Sequence, residues 1–283
     1  MEGGKNTIQS RLLLQLCGLF LLLSALSVTV GFRPALSRND PSLATRVLVE
    51  GEELVYNVRY GFIDLGQVKI VTHERVQGKG YTAYTTEAVI RSYSGVPFVD
   101  LHALYESVVD TCGFSRHFVG RTMENGEWGF SRYLFQYDHM RVVMERGFRD
   151  TLVQRRDTLP LESTYHDGLS LFFYARQQLF SAKKMDIPTL VKEEKANTYI
   201  NFNGQHGSAE NEFIDYPVDV VGFEGTAGFV GVFGLTGDFE GWFSNDEARI
   251  PIVAKMKVII GSVTLELVSW KRPGWQPPRA VKE

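Results

Sequence analysis

Apolar and polar residues alternate along most of this chain. The first clear instance is ELVYNVRYGF, residues 53–62, in which Leu54, Tyr56 and Val58 fall on one face and Asn57 falls on the other. A period of two residues is typical of a β-strand with one buried face. The pattern therefore predicts that the folded part of the chain begins with a half-buried strand.

The alternation recurs in short segments separated by turn residues such as Asn125-Gly126, a dipeptide typical of a tight hairpin. Further strands are predicted in segments 67–76, 81–93, 104–111, 115–123, 130–138, 141–147, 197–203, 210–214, 216–223, 249–260 and 262–270. Because short turns join these segments, we expect consecutive strands to pair antiparallel, up and down along one sheet.

One segment has helical spacing instead. Leu169, Phe172 and Phe173 recur at intervals of three and four residues, and Asp167 precedes them where a helix cap is expected. Lysines follow at 183 and 184 and suit the negative end of a helix. The pattern predicts one substantial helix over Gly168–Ala182.

From residue 222 to residue 237 a glycine occurs at every third position. A phosphate-binding loop would need a lysine directly after the glycines and then a helix, but no lysine occurs between Lys195 and Lys255. A collagen-like triplet is excluded because the stretch contains no proline. The glycines instead predict bends in two short strands, roughly 229–234 and 238–243. We expect these bends where the sheet curls, and the alternative is that backbones or a ligand approach closely there.

Together these elements predict a mainly β protein. We expect a single strongly curved antiparallel sheet, either a half-barrel or a barrel, around one main helix. No long polar linker divides the chain, so residues 38–270 are predicted to form one β-rich domain. Residues 271–283, KRPGWQPPRAVKE, contain three prolines and are predicted to be a loose tail.

Residues 1–37 have the composition of a secretory signal. Lys5 and Arg11 precede an uncharged apolar run, residues 12–32, and the small-residue sequence ALS follows at 35–37. The run is also long enough to remain as a membrane anchor, so cleavage and retention both stay open. In either case the positive flank predicts that the rest of the chain is exported and is periplasmic or associated with the envelope.

Charge and cysteine content argue against several classes of protein. The chain has 30 Lys and Arg against 33 Asp and Glu, and residues 1–37 contain three of the former and one of the latter, which leaves −5 for the rest. A nucleic-acid partner is not expected, because binding a phosphate backbone needs a basic face. Cys112 is the sole cysteine after residue 37, and the histidines lack the spacing of metal ligands. We therefore expect no internal disulfide, no metal and no cofactor.

Three segments resemble a known family: GEELVYNVRYGFIDLGQVKI at 51–70, DGLSLFFYAR at 167–176, and GDFEGWFSNDEARIPIVAKMKVIIGSVTLEL at 237–267. In this order they resemble the domain of unknown function family 3108, a family of exported bacterial proteins. The resemblance implies a β-rich envelope domain and brings no established reaction. The strand pattern is also similar to that of lipoprotein-carrier-like folds, although fold alone does not fix function.

The residues that suggest catalysis have a structural explanation. His166, Asp167 and Ser170 stand at the start of the predicted helix, where Asp167 and Ser170 are expected to cap backbone amides. Arg176 is expected to pair with Asp246 and so to fix the helix to the sheet. The chain has no GxSxG motif. A hydrolase that uses His166, Asp167 or Asp246 is therefore the least favoured function.

A hydrophobic cavity between the helix and the curved sheet is the feature that the sequence favours for function. Its predicted lining is Leu169, Phe172, Phe173, Phe229, Phe233, Trp242 and Met256. The alternative is that these side chains simply fill the core. We expect a non-enzymatic protein that binds a lipid or another hydrophobic ligand there. The alternative function is a structural or assembly factor, which docks another envelope protein through a sheet edge or through the proline-rich tail.

Overall fold

The computed structural model describes residues 41–96, 100–124, 126–229, 235–258 and 261–281. The apolar run at 12–32, the predicted cleavage site and all but the first residue of the predicted strand 229–234 lie outside the described residues. Within the described part, no helix has the length and apolar content that crossing a bilayer requires.

Fourteen strands of the described part form one sheet. They are β1 (Glu53–Tyr60), β2 (Ile63–Gly78), β3 (Tyr81–Ser92), β4 (His102–Asp110), β5 (Ser115–Glu124), β6 (Glu127–Gln136), β7 (Arg141–Phe148), β8 (Leu152–Pro160), β9 (Lys184–Val191), β10 (Glu194–Asn211), β11 (Ile214–Ala227), β12 (Leu235–Ser244), β13 (Pro251–Val258) and β14 (Ser262–Lys271). The helices are α1 (Pro41–Val47) and α2 (Gly168–Gln178), and a 3₁₀ turn, Tyr137–His139, joins β6 to β7.

The strand order is β8-β7-β6-β5-β4-β3-β2-β1-β14-β13-β12-β11-β10-β9, and neighbouring strands are antiparallel. Strands β1–β8 form one meander and β9–β14 form a second. The two meanders meet at β1 and β14, where Tyr56 lies opposite Leu267. Strands β8 and β9 are the edges, so the sheet is not closed. The prediction of one curved antiparallel sheet is confirmed, and the sheet is open.

This topology gives the curved sheet two different ends. Because consecutive strands alternate in direction, every odd-numbered strand finishes at the same end, which we call the mouth end. The even-numbered strands finish at the opposite end. The connection between β8 and β9 contains α2, so this helix lies at that opposite end, which we call the closed end.

Helix α2 begins where the sequence predicts and ends earlier. The Asp167 carboxylate accepts hydrogen bonds from the amides of Leu169 and Ser170, which are two of the groups that a helix start leaves unpaired. The helix ends at Gln178 and not at Ala182, which has a φ of +53° that no α-helix accommodates. The predicted span was therefore four residues too long.

The buried guanidinium of Arg176 fixes α2 to the sheet, but not through Asp246 as predicted. It donates to both carboxylate oxygens of Glu52, at 2.6 and 3.1 Å, and to the carbonyl oxygens of Ala248 and Arg249. Arg176 and Glu52 are 0% and 1% exposed. The helix is thereby joined to the residue before β1 and to the β12–β13 turn.

Asp246 has a different set of partners. Its carboxylate accepts hydrogen bonds from the amides of Ala248 and Arg249 and from the hydroxyl of Ser244, and so shapes the turn before β13. It also accepts one from the indole nitrogen of Trp275, at 2.7 Å. The sequence correctly located Asp246 in a turn and assigned it the wrong partner.

The C-terminal segment is not a loose tail as predicted. The Asp219 amide donates to the carbonyl of Pro278, the Ala280 amide donates to that of Pro217, and the Arg279 guanidinium lies 3.8 Å from the centre of the Tyr216 ring. These contacts fix the segment along β11. The prolines of this segment belong to a stretch that is hydrogen-bonded to the sheet, so they do not indicate disorder.

The gap between the edge strands is bridged without a strand pair. The segment that follows β8 forms hydrogen bonds with both meanders. The Leu161 amide donates to the carbonyl of Met140, next to β7, and the carbonyl of His166 accepts a hydrogen bond from the Leu190 amide of β9. Nearer the mouth end, the Glu193 amide of the β9–β10 turn donates to the hydroxyl of Tyr133 on β6. The sheet and these bridges together form a cup.

Gly225 of the triplets and Gly241, which follows them, make room for aromatic rings inside this cup. Phe239 lies across from Gly225 and Phe223 lies across from Gly241 on the paired strands β11 and β12. A Cβ atom at Gly225 would be 2.3 Å from the Phe239 ring, and one at Gly241 would be 2.4 Å from the Phe223 ring. The predicted strand 238–243 lies within β12, whereas Phe229 lies in a bend after β11.

Replacing Arg176 by methionine should test the contact between α2 and Glu52. The substitution leaves a buried carboxylate with Arg272 as its remaining cationic partner. We expect the free energy of unfolding to fall by about 3 kcal/mol, since the buried carboxylate loses one of its two cationic partners and the carbonyls of Ala248 and Arg249 lose their donor. Urea denaturation followed by circular dichroism measures this change.

The matched control is Arg156→Met, which removes an exposed partner of Glu145. It should change the free energy of unfolding by less than about 1 kcal/mol. Equal losses in the two variants would contradict a special role for the buried pair.

Candidate functional site

A cavity of about 600 Å³ lies between α2 and the concave face of the sheet. Helix α2 has 11 residues and is therefore about 16 Å long. Strands of 8–10 residues extend about 26–33 Å, so a short helix at the closed end cannot fill the cup. The cavity is the space that remains between the helix and the mouth end.

The inner part of the cavity is apolar. Its walls come from both meanders and from one face of the helix: Val58, Val68, Ile70, Ala88, Ile90, Tyr105, Phe118, Tyr133, Leu169, Leu171, Phe172, Ala175, Ile200, Phe223, Phe239, Phe243, Ala254, Met256, Val263 and Leu265. Inward-facing residues of many strands meet here because a curved sheet directs alternate side chains to its concave side.

The cavity becomes polar where it reaches the mouth end. Arg146 and Glu193 line one side, and 4.0 Å separates the guanidinium from the carboxylate. Lys257 and Asp238 line another side, and 2.5 Å separates the ammonium from the carboxylate. Three of these four side chains are more than half exposed. The cavity therefore leads from a buried apolar base to a charged and solvated rim.

The structure distributes the predicted lining residues over three environments. Leu169, Phe172, Phe229 and Met256 line the cavity. Phe173 is fully buried in the core next to the cavity. Trp242 lies on the other face of β12, with the Lys255 ammonium 5.3 Å from its ring centre. Phe233 lies outside the described residues.

Sequence reasoning missed much of the aromatic wall. Tyr105, Phe118 and Tyr133 lie on three consecutive strands, and their rings pack side by side along the concave face at centroid separations of 5.8 and 5.1 Å. The alternation within each predicted strand contained this signal. It could have been used by assigning every predicted strand one inner face and collecting the residues on it.

Two hydroxyl groups in the lining have no hydrogen-bond partner among the described residues. They belong to Tyr56 and Thr198, which are 3% and 1% exposed. Burial raises the pKa of the Tyr56 phenol, so this group stays protonated and can donate. Unpaired buried hydroxyls are costly, and a ligand with a polar atom would relieve that cost.

The polar groups that suggested catalysis form a sealed cluster at the closed end. The Asp167 carboxylate accepts hydrogen bonds from the hydroxyls of Ser107, at 2.7 Å, and Ser115, and the Ser115 and Ser170 hydroxyls are 2.8 Å apart. Asp167, Ser115 and Ser170 are 0% exposed, and none of them lines the cavity. The cluster connects the helix start to β4 and β5.

Burial determines the protonation of the two titratable residues there. It lowers the pKa of His166 to about 3, and it raises the pKa of Asp167 against the opposing effect of the serine and amide hydrogen bonds. The His166 ring packs against Tyr174 at 4.5 Å between centroids. The His166 side chain is therefore neutral at pH 7 and has no access to a substrate in the cavity.

Within the described residues, no group of three or more His, Cys, Asp and Glu side chains could hold a metal ion. Cys112 is partly buried on the β4–β5 turn, and burial, followed by the nearby Asp110, raises the pKa of its thiol to about 11. A thiol with a raised pKa is a poor nucleophile at neutral pH. The cavity therefore remains the main candidate site.

A sequence model described as "Protein of unknown function (DUF3108)" matches residues 55–268. A crystal structure of a β-barrel-like protein of domain of unknown function DUF1849 from Brucella abortus is 12% identical and has a TM-score of 0.52; the match covers 80% of this chain and 98% of that one. A hypothetical protein from Chlamydia trachomatis is 10% identical, with 85% and 97% covered, and its TM-score of 0.34 supports no argument. No curated protein matches. The Brucella likeness shows the fold alone.

The neutral, buried His166 should make stability depend on pH. Because its pKa is about 3 in the folded state and about 6.5 when unfolded, the unfolded chain binds the extra proton between these values. The free energy of unfolding should therefore fall as pH is lowered from 6.5, by up to about 1.4 kcal/mol per pH unit from this residue. Urea denaturation between pH 4 and pH 7 measures the slope.

The variant His166→Gln removes this titration and retains the other ionisable groups. It should have a smaller pH slope than the parent protein over the same range. Parallel slopes would show that His166 is not the residue responsible.

Proposed function

Because the chain belongs to the family of proteins of unknown function DUF3108, its function has to be inferred from its own cavity, and we propose that it binds a hydrophobic, lipid-like ligand between α2 and the sheet. The binding is non-covalent and the protein is not an enzyme. With its predicted signal or anchor at residues 1–37, it acts outside the cytoplasm, in the periplasm or attached to the envelope.

The observation that carries the proposal is the size of the apolar space. Protein interiors are close-packed, with few voids larger than a water molecule. A volume of about 600 Å³ falls in the range of about 300–1,000 Å³ that small-molecule sites occupy. Each methylene group that a ligand buries there contributes about 0.8 kcal/mol, so an alkyl chain of moderate length would bind with useful affinity.

The distribution of polar groups supports an amphiphilic ligand. The base of the cavity offers apolar side chains and the unpaired hydroxyl of Tyr56, whereas the rim offers Arg146, Lys257, Glu193 and Asp238. An apolar tail would lie against α2, and a polar head would stay among the charges at the mouth end. Both signs of charge are present at the rim, which suits a zwitterionic or neutral head better than a highly charged one.

The sealed cluster around Asp167 supports a non-enzymatic function. Asp167 and Ser170 form hydrogen bonds with neighbouring serines and with the helix amides, His166 is buried, and none of the three lines the cavity. A hydrolase would need a nucleophile and a base within hydrogen-bonding distance of a bound substrate.

The second candidate is an assembly factor, which the free edge of β8 favours. This strand lies at the end of the sheet and is largely exposed on both faces. An open edge can pair with a strand of another protein. However, Arg155, Arg156 and Asp157 place charges along it, a common protection against edge pairing. The cavity therefore supports ligand binding more strongly than the edge supports docking.

Mass spectrometry tests the proposal most directly. The protein purified gently from the envelope would be measured intact under native conditions and again after organic extraction. A stoichiometric amphiphile that leaves on extraction is the expected result. A ligand-free protein that also fails to bind apolar fluorescent probes would overturn the proposal, and partner capture through β8 would become the next experiment.

Filling the cavity should weaken ligand binding without loss of the fold. Ala254 lines the cavity, and the Ala254→Phe variant places a ring in the space that a ligand would occupy. We expect its affinity for an apolar fluorescent probe to fall at least tenfold, equivalent to about 1.4 kcal/mol. Probe titration measures the affinity, and circular dichroism checks the fold.

The control is Leu134→Phe, which adds a ring at a side chain that is 44% exposed on the outer face of β6. Its probe affinity should equal that of the parent protein. A similar loss in both variants would mean that the probe reports general hydrophobicity and not the cavity.

A further inference from the structure

The rim of the cup carries exposed apolar side chains. Of the large apolar residues that are exposed in the described part, seven lie at the mouth end: Tyr60, Phe62, Ile63, Tyr93, Trp128, Leu152 and Val153. Phe62 is 94% exposed. Residues that connect strands are usually polar or have special backbone preferences, because their side chains face water. This rim is therefore an unusual surface for a region of turns.

The geometry of the β1–β2 hairpin requires a glycine at position 61 but does not require an apolar residue at position 62. Tyr60 pairs with Ile63, so Gly61 and Phe62 form a two-residue turn. Gly61 has a φ of +58°, as the first position of a type II′ turn requires. The second position accepts polar residues equally well. A phenylalanine that is almost fully exposed adds nothing to packing and is available to a partner.

Most of the charged side chains around these apolar tips have a partner of opposite charge, whereas Arg91 and Lys192 have no ion-pair partner among the described residues. The pairs are Arg121 with Glu106 and Asp150, Arg149 with Glu127, Arg146 with Glu193, and Lys257 with Asp238. A rim of mostly paired charges exerts little attraction on an anionic surface. Tyrosine and tryptophan are enriched at the level of the lipid headgroups, and apolar side chains insert at the boundary between headgroups and acyl chains. The charge pattern thus complements a neutral membrane surface.

We propose that the mouth end docks on the surface of a bilayer with zwitterionic headgroups, where Phe62 and Ile63 insert among the lipids. The exposed tips belong to separate connections, after β1, β3, β5 and β7. A fluid bilayer accepts such separate insertions, whereas a protein partner needs one contiguous, complementary surface. Docked in this way, the cavity opens directly onto the apolar phase, and a ligand passes between them without crossing water.

The test uses the full chain with a fluorophore at one chosen position. In the Cys17→Ser, Cys112→Ser background, Phe62→Cys or Phe180→Cys is labelled with an environment-sensitive fluorophore. Phe180 is the matched control: it is 43% exposed and follows α2 at the closed end, with the Arg249 guanidinium 4.6 Å from its ring centre. Because the full chain retains the apolar run at 12–32, comparing the two labels tells which end of the cup meets the lipid.

On addition of phosphatidylcholine vesicles, we expect a severalfold rise in emission at position 62 and no change at position 180. The rise should persist at high salt and disappear when Ile63→Asp is added, since a carboxylate would then have to enter the lipid. No rise at 62, equal rises at both positions, or a rise that requires anionic lipid would each overturn the proposal. So would a rise that appears only when a protein extract is added.

This inference concerns the rim and stands independently of what occupies the cavity. Ala254→Phe should leave the vesicle response at position 62 unchanged while it lowers the affinity for the probe at least tenfold. Ile63→Asp should do the reverse. The two proposals therefore fail separately, and loss of one response does not remove the other.

Discussion

The contact between Arg176 and Glu52 is the constraint on which the cup depends. It joins α2 to the residue before β1, and the same guanidinium donates to two carbonyl groups of the β12–β13 turn. Arg272, at the end of β14, adds a second cation to Glu52. Elements from the beginning, middle and end of the chain thus meet at one buried carboxylate. Because a buried charge must be paired, the helix has one position that satisfies all of them.

The cavity follows from that position. With the helix held at the closed end, the inner faces of long strands extend past it and face one another across unfilled space. The opposed pairs of glycine and phenylalanine on β11 and β12 enlarge the aromatic wall without crowding it, because each ring occupies the place of a missing side chain. Structure and proposed function therefore have the same origin: a sheet that is larger than the helix it encloses.

The sequence predicted most of what depends on local pattern. Alternation located the majority of the strands, and helical spacing with Asp167 located α2. Strand β8 was missed because it is exposed on both faces and has no alternation, and segment 210–214, predicted as a strand, contains the β10–β11 turn. The predicted partner of Arg176 was wrong because Glu52 lies 124 residues away in the sequence, and local spacing carries no information about such a pair. Phe173 and Trp242 were placed in the lining because composition alone cannot tell which face of an element points inward.

The pairing of β1 with β14 has a consequence for how the chain folds. Every other pair of neighbouring strands is adjacent in sequence, so each meander can grow by adding one hairpin at a time. The β1–β14 pair joins residue 53 to residue 271 and closes a loop of more than 200 residues. Such long-range closure is slow, and until β14 has been synthesised β1 remains an unpaired edge. The final strand thus completes the fold, and a chain shortened before β14 would leave the backbone of β1 without its second neighbour.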